Sequence, residues 1–314
     1  MRLSLLSVES LEGSGVPTAH GNKGRPWRVR LRVTDGQATV WSEAVALPAF
    51  GVGRGEAMAH ALGWAALDLE AKAGGLTLPE TLARCLGRNA LAELETTALL
   101  AGPTSGLAAA AKAAWQNGYQ TFKLKLGKAG DALRPLPVVV AEALERVETV
   151  LRALPEQATL RLDANRAWTL EQAEAFTRPL ANLAGERLAW LEDPCMPGTP
   201  WSALLEATAV PLAPDESCAE PDALTPWLGH PRVAAVVVKP VLWGPERTLE
   251  LARLAIAHGK PIVASSAYEE QAGLAVVSAV AAAAGTVGCP HGLLLGTTGL
   301  PPRTGVLPGL PRAS

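Results

Sequence analysis

The stretch TFKLKLG, residues 121–127, places Lys123 and Lys125 one leucine apart inside an otherwise apolar run. Alternate residues of a β-strand point to the same face, so both lysines belong to one face of the strand that this run predicts. By itself, a Lys-x-Lys pattern is most typical of an exposed edge strand. Its meaning here therefore depends on the strands before and after it.

Short apolar runs of the same kind recur along the chain from about residue 96, and most intervals between them carry a helical pattern. The predicted strands are TTALLAG (96–102), YQTFKLKL (119–126), ATLRLDA (158–164), RLAWLED (187–193), VPLAPDE (210–216), VAAVVVK (233–239), PIVASS (261–266) and GTVGC (285–289). Strand–helix alternation at intervals of roughly 20–40 residues predicts a parallel β/α barrel of the TIM type. An open doubly wound sheet is the alternative, but no glycine-rich dinucleotide motif follows the first strand.

The first 95 residues follow a different pattern. Residues 26–48 alternate apolar and polar side chains around an Asp-Gly turn, which predicts an antiparallel hairpin. Residues 55–75 and 78–87 carry helical patterns. We therefore predict an α+β capping domain over residues 1–95 and a catalytic barrel over residues 96–299. The C-terminal tail, residues 300–314, is expected to pack back on the capping domain.

Composition argues against several function classes. The net charge is −2 and basic residues do not cluster, which argues against a nucleic-acid partner. No segment reaches the roughly 18 uninterrupted apolar residues of a membrane span, and the N-terminus lacks the pattern of a signal peptide. The four cysteines are scattered without a Cys-x-x-Cys pair, which predicts free thiols in a reducing cytoplasm. The sequence leaves the oligomeric state open.

Polar residues stand at the ends of the predicted barrel strands, where barrels of this kind carry their chemistry. In chain order they are Lys123 and Lys125, Asp163 with Asn165, Glu192, Asp215 with Glu216, Lys239, and Ser265 with Ser266. The residues before these ends are mostly apolar, apart from Arg161. Acids and lysines at successive strand ends are hard to explain as a merely solvated face.

Asp163, Glu192 and Asp215 come from three consecutive strands and are therefore expected to converge on one rim. Three carboxylates repel one another unless a cation lies among them, and oxygen ligands without Cys or His favour Mg²⁺. Lys123 and Lys125 point into the same mouth, where each disfavours protonation of the other and lowers its pKa. A lysine with a lowered pKa is suited to act as a general base.

These residues lie in motifs that resemble the enolase superfamily, in the order typical of that family. The motifs are KLK (123–125), RLDANRAW (161–168), LEDP (191–194), PDES (214–217) and VVVKP (236–240). Together with SSAYEEQAGL (265–274), they are similar to the o-succinylbenzoate synthase family of menaquinone biosynthesis. Two departures are visible: Asp193 stands where a second glutamate is common, and Pro214 occupies a position that the family varies.

The resemblance implies a modified TIM barrel with an N-terminal capping domain, and it implies roles for the strand-end residues. The ligands of Mg²⁺, or of Mn²⁺ as an alternative, would be Asp163, Glu192 and Asp215. Lys125 would be the base, Lys123 would tune it and contact the substrate carboxylate, and Lys239 would lie on the opposite face of the substrate. Supporting or substrate-contacting residues would be Arg161, Asn165, Glu216, Ser265 and Ser266, with the two serines near the succinyl tail.

The implied reaction is the syn-dehydration of 2-succinyl-6-hydroxy-2,4-cyclohexadiene-1-carboxylate to o-succinylbenzoate through an enediolate. An N-succinylamino acid racemase or dipeptide epimerase of the same superfamily is the alternative, since both use opposed lysines. The Lys-x-Asp pair typical of epimerases is not found, because Pro240 and Val241 follow Lys239. A non-catalytic barrel is a third interpretation.

Two further features remain open at the level of sequence. The polar, glycine-rich loop at residues 12–25 is either an ordinary connection or a lid that closes over the substrate. His291 follows the last predicted strand, and it either lines the mouth of the barrel or serves packing alone.

Overall fold

The structure is a computed structural model, and it describes residues 3–12, 26–218 and 221–292. The predicted lid beyond Glu12 and the predicted packing of the tail at 300–314 lie outside the described residues. Within the described part, no helix is both long and apolar enough to cross a membrane. Cys85, Cys195 and Cys289 are free thiols, as predicted.

The N-terminal part is a three-stranded antiparallel sheet followed by two helices. Strands β1 (Ser4–Glu12), β2 (Trp27–Thr34) and β3 (Thr39–Ala46) lie in the order β1-β2-β3. The predicted hairpin is confirmed as β2 and β3, whereas β1 was not predicted because it does not alternate: its residues from Ser4 to Ser10 are almost all exposed. Helices α1 (Arg54–Ala73) and α2 (Leu78–Cys85) follow close to the predicted bounds.

The remaining elements alternate between strands and helices, as predicted. They are β4 (Ala98–Leu100), α3 (Thr104–Gln116), β5 (Thr121–Lys125), α4 (Leu136–Ala153), β6 (Thr159–Asp163), α5 (Leu170–Ala184), β7 (Leu188–Glu192), α6 (Trp201–Ala207), β8 (Leu212–Ala213), α7 (Pro221–Leu228), β9 (Val236–Val238), α8 (Pro240–Ala257), β10 (Ile262–Ala264) and α9 (Gln271–Ala284). Strands β4 to β8 form one parallel sheet, and β9 pairs with β10 in parallel.

Backbone hydrogen bonds connect these two sheets into a ring. Between β8 and β9, the amides of Ala234 and Val237 donate to the carbonyls of Leu212 and Pro214 (2.8 and 3.0 Å). On the other side, the segment His291–Gly292 bridges β10 to the residues just before β4. The ring has the architecture of a β/α barrel whose strands are parallel.

The predicted eighth strand at residues 285–289 is wrong. Helix α9 ends at Ala284, and Gly288 has a positive φ of 76°, which a strand does not accommodate. Within the described residues, which end at 292, His291 and Gly292 take the eighth position, and each forms a bridge. The strand predicted at 210–216 shrinks to β8 because Pro211 and Pro214, which flank it, have no N–H to donate to a neighbouring strand.

Most buried apolar side chains lie in two large cores. One core unites β2, β3 and α1 of the N-terminal part with α8 and α9 of the barrel. The other lies between β4–β8 and helices α3–α6. Since the first core crosses the predicted boundary near residue 95, the division into two domains stays a prediction.

We expect Gly127→Ala to lower the free energy of unfolding by about 1–3 kcal/mol or more, because the new methyl group overpacks the end of β5. A Cβ at Gly127 would lie 1.7 Å from the carbonyl oxygen of Ala164. The control is Gly106→Ala in α3, where nothing lies within 4 Å of the added Cβ. Urea unfolding followed by circular dichroism measures both variants. Equal stability of the two would contradict this packing.

Candidate active site

Strands β5, β6 and β7 place their polar side chains in two layers inside the barrel. Their parallel register aligns Lys125, Asp163 and Glu192 in the upper layer and Lys123, Arg161 and Trp190 in the lower layer. Alternate residues share a face, so the two layers follow directly from strand geometry. The upper layer lies at the carboxyl ends of the strands, where the mouth opens.

Three carboxylates meet in this mouth. One oxygen from each of Asp163, Glu192 and Asp215 lies within 4.8 Å of the other two, and each residue is only 1% exposed. They come from β6, β7 and the loop after β8, so three consecutive strands deliver them as the spacing predicts. Glu216 follows Asp215 and is also buried. The cluster thus concentrates negative charge where little water can screen it.

Three lysines neutralise this cluster from different sides. Lys123 Nζ pairs with Glu192 and with Asp163 Oδ2 (2.8 Å), and Lys125 Nζ lies 2.5 Å from the same Asp163 oxygen. Lys239 Nζ pairs with Asp215 Oδ1 (2.5 Å) and with Glu216. The side chain of Lys125 is 32% exposed, against 11% for Lys123 and 8% for Lys239. Lys125 is therefore the most accessible of the three.

The prediction that the paired lysines lower each other's pKa is wrong for Lys123. Burial by itself lowers the pKa of Lys123, but the charges of Asp163 and Glu192 outweigh burial and raise that pKa well above its usual range. The same balance holds for Lys239, whose pKa burial lowers and the carboxylates of Asp215 and Glu216 raise to a net increase. The sequence shows the neighbouring lysine, whereas the nearer carboxylates come from other strands.

The carboxyl groups differ in pKa according to their lysine partners. Burial raises the pKa of Asp163, but Lys123 and Lys125 together hold it below its usual range. Burial and the adjacent Glu216 raise the pKa of Asp215 to about 7, although Lys239 opposes this increase. The mouth is therefore asymmetric, with a better neutralised side at Asp163.

The residues present fit a hard divalent cation. The donors are carboxylate oxygens converging on one small volume, which is the ligand chemistry that Mg²⁺ prefers. Glu216 adds a buried oxygen, Oε2, that has no hydrogen-bond partner in the described structure. The ammonium groups of Lys123 and Lys239 lie directly against these carboxylates, as expected of a cluster that requires positive charge.

Arg161 and Asn165 lie beside the carboxylate cluster and are not part of it. Arg161 belongs to the lower layer and donates to Thr97 Oγ1 (3.2 Å) and to the carbonyl of Pro290 (2.5 Å). Asn165 contributes its backbone amide, which donates to Asp163 Oδ1 (2.8 Å). Arg161 thus lies in the layer below the carboxylates, and Asn165 contacts Asp163 through its backbone.

Ser265 and Ser266 follow β10 and are mostly buried. Their amides bond to Val238 and Gly292 in the barrel wall, so this end of the strand is fixed. His291 is 1% exposed, and its Nδ1 accepts a hydrogen bond from the amide of Ala264 (3.2 Å). Its Nε2 side faces Gly285 at the end of α9, where a Cβ would lie 2.5 Å away. His291 therefore serves packing between barrel and helix rather than lining the mouth.

Sequence reasoning missed three residues that contact the cluster or its lysines. Trp190 Nε1 donates to Glu192 Oε1 (3.0 Å), and the buried Arg146 donates to the carbonyl of Lys125 (2.9 Å). Lys239 Nζ lies 5.6 Å from the ring centroid of Phe50, which the N-terminal part supplies. Trp190 lies two residues before Glu192 on β7 and therefore points to the same face of the strand. This spacing in the sequence could have indicated its position. Arg146 lies on the helix after β5 and Phe50 lies in the N-terminal part, and no spacing in the sequence indicates either contact.

Comparison with known proteins shows which family this chain resembles. Residues 106–294 match the family model described as enolase C-terminal domain-like. The chain is 32% identical over 258 residues to the o-succinylbenzoate synthase of Citrobacter koseri, a match that covers 80% of this chain and 78% of that protein. It is 36% identical over 174 residues to the o-succinylbenzoate synthase of Klebsiella pneumoniae, covering 55% of this chain and only 50% of that protein.

A solved structure with the same fold is the substrate-liganded L-Ala-D/L-Glu epimerase from Bacillus subtilis. The TM-score is 0.74 at 20% identity, and the match covers 90% of this chain and 86% of that one. At this identity the likeness concerns the fold. The family model and the Citrobacter relative together span most of the chain. The chain therefore belongs to the enolase superfamily of enzymes, and its sequence is similar to the o-succinylbenzoate synthases within it.

Proposed function

We propose that this enzyme is a hydro-lyase that converts 2-succinyl-6-hydroxy-2,4-cyclohexadiene-1-carboxylate to o-succinylbenzoate, a step of menaquinone biosynthesis. The proposal rests on one observation, the acidic triad of Asp163, Glu192 and Asp215 between lysines on opposite sides. The names of the relatives at 32% and 36% identity support this choice of substrate. The free thiols are consistent with a cytoplasmic enzyme.

The triad would hold Mg²⁺, with Mn²⁺ as the alternative ion. When bound, the ion supplies positive charge that stabilises the negative charge developing on the substrate carboxylate during proton removal. Lys123 would add a second positive charge beside the substrate carboxylate. Its ammonium lies against Asp163 and Glu192, two of the three residues that would hold the ion. Its raised pKa keeps it protonated for this role.

Lys125 would carry the proton transfers. The neutral amine that forms when its ammonium gives a proton to solvent would take the proton from the carbon next to the substrate carboxylate, and the resulting enediolate would hold the electron pair of that C–H bond. The C–O bond on the neighbouring carbon then breaks, and the ammonium of Lys125 returns the proton to the departing hydroxyl as water. Because Lys125 acts on one face of the substrate in both steps, the proton and the hydroxyl leave from the same face, which is the syn geometry. The guanidinium of Arg146 donates a hydrogen bond to the backbone carbonyl of Lys125 and thereby fixes the backbone at this residue.

Lys239 would bind the other face of the substrate. Its ion pairs with Asp215 and Glu216 hold the ammonium in place, and its raised pKa keeps it charged. A positive charge over the face of the cyclohexadiene ring supports binding through its π electrons. Ser265 and Ser266 at the end of β10 would contact the succinyl tail.

A racemase or epimerase activity is the second candidate, since opposed Lys125 and Lys239 also suit removal of a proton from one face and its return to the other. Incubation with the cyclohexadiene substrate and Mg²⁺, followed by the change in ultraviolet absorbance, tests the dehydration. Incubation of N-succinylamino acids or of L-Ala-L-Glu in D₂O, followed by NMR of the α-proton, tests the alternative. Exchange without dehydration would favour the second candidate.

We expect Lys125→Ala to lower kcat for dehydration by about 10²- to 10⁴-fold, because the general base is removed. Mg²⁺ binding, measured by calorimetry, should persist in this variant. The matched control is Lys128→Ala, three positions after Lys125, which removes an exposed lysine that pairs with Glu142. Wild-type turnover in Lys125→Ala would remove this residue from the mechanism.

Asp163→Ala should weaken Mg²⁺ binding and lower activity together, because one of three ligands and the partner of two lysines is lost. Isothermal titration calorimetry with MgCl₂ measures the affinity, and the dehydration assay measures kcat. The control is Asp222→Ala, an exposed acid in the first turn of α7. Unchanged Mg²⁺ affinity in Asp163→Ala would show that the ion binds elsewhere.

A further inference from the structure

Trp190 fills the barrel interior directly below the acidic cluster. It lies on β7 two residues before Glu192, is 6% exposed, and points into the same interior. Its Nε1 donates a hydrogen bond of 3.0 Å to Glu192 Oε1. Because an indole N–H can only donate a hydrogen bond, Glu192 Oε1 is the acceptor.

The side chains around Trp190 are small. Its apolar neighbours in the interior are Ala213, Ala235, Val237 and Val263, all buried. Such small residues on β8, β9 and β10 leave the volume that one large ring needs. The ring is therefore packed on that side and has little freedom to rotate.

Arg161 closes the other side of the ring. Its guanidinium carbon lies 4.0 Å from the Trp190 ring centroid, and the two residues are register partners on β6 and β7. Hydrogen bonds to Thr97 and Pro290 anchor the guanidinium near the Thr96–His291 bridge that closes the ring. A cation–π contact in this buried setting holds the indole against Arg161, while its N–H donates to Glu192.

Glu192 is thereby held through both oxygens. Oε2 pairs with Lys123, while Oε1 receives the indole N–H. We propose that Trp190 is a positioning residue that fixes the Glu192 carboxylate for binding of the divalent cation, with Arg161 holding the indole in place. This inference rests on the proposed role of Glu192 as a ligand of Mg²⁺. Groups that orient a metal ligand commonly affect affinity about 10- to 100-fold.

The test is Trp190→Phe, which keeps an aromatic ring against Arg161 and removes the N–H. Calorimetric titration with MgCl₂ should show affinity about 10- to 100-fold weaker than in the wild type. The control is Val263→Ala, which removes packing from the same interior without touching Glu192. Thermal unfolding of both variants gives their loss of stability, so that a general packing defect can be recognised.

Three outcomes decide the matter. Weaker Mg²⁺ binding in Trp190→Phe but not in Val263→Ala, with dehydration restored by high MgCl₂, supports the positioning role. Wild-type affinity in Trp190→Phe overturns it, as does an equal loss in both variants. If Trp190→Phe fails to fold, Trp190→Met takes its place under the same criteria. A wild type that binds no Mg²⁺ would contradict the proposed function itself, which keeps the two failures distinct.

Discussion

The balance between buried carboxylates and buried ammonium groups is the constraint on which the site depends. Asp163, Glu192, Asp215 and Glu216 lie in one barrel mouth where isolated charges would be strongly destabilising, and three lysines make them tolerable. Removal of either set would leave the other as uncompensated buried charge. The arrangement also explains why the lysines differ: Lys123 and Lys239 are buried within the network, whereas Lys125 stays accessible at its edge. A base must reach its substrate, and charge-stabilising groups need not be exposed.

The strand-end pattern was enough to predict the parallel barrel and to bring Asp163, Glu192 and Asp215 together, because alternation and strand order follow from local sequence. Features that depend on nonlocal packing were not accessible in this way. The raised pKa of Lys123 comes from carboxylates on other strands, and the closing segment at His291 has no strand pattern of its own. Arg146 reaches Lys125 from the following helix, a contact that no spacing in the sequence indicates.

The N-terminal sheet is tied to the barrel at the loop that follows β10. Arg28 and Arg30 on β2 form ion pairs with Glu270. The buried Glu43 on β3 accepts a hydrogen bond from the backbone amide of Glu270 (2.6 Å). The same loop begins with Ser265 and Ser266 at the mouth. Phe50, just beyond β3, lies over Lys239. The N-terminal part therefore shapes the mouth in two ways, by supplying an aromatic wall and by restraining a loop that borders it.

The segment at His291–Gly292, which completes the ring, has a consequence for biosynthesis. On the ribosome, β4 emerges almost two hundred residues before its last neighbour, so its edge and that of β10 stay unpaired until nearly the whole barrel has been translated. Contacts between such distant positions make folding slow. Premature termination shortly before His291 would leave a polypeptide with open, sticky edges, a substrate for chaperones and proteases rather than a slightly shortened enzyme.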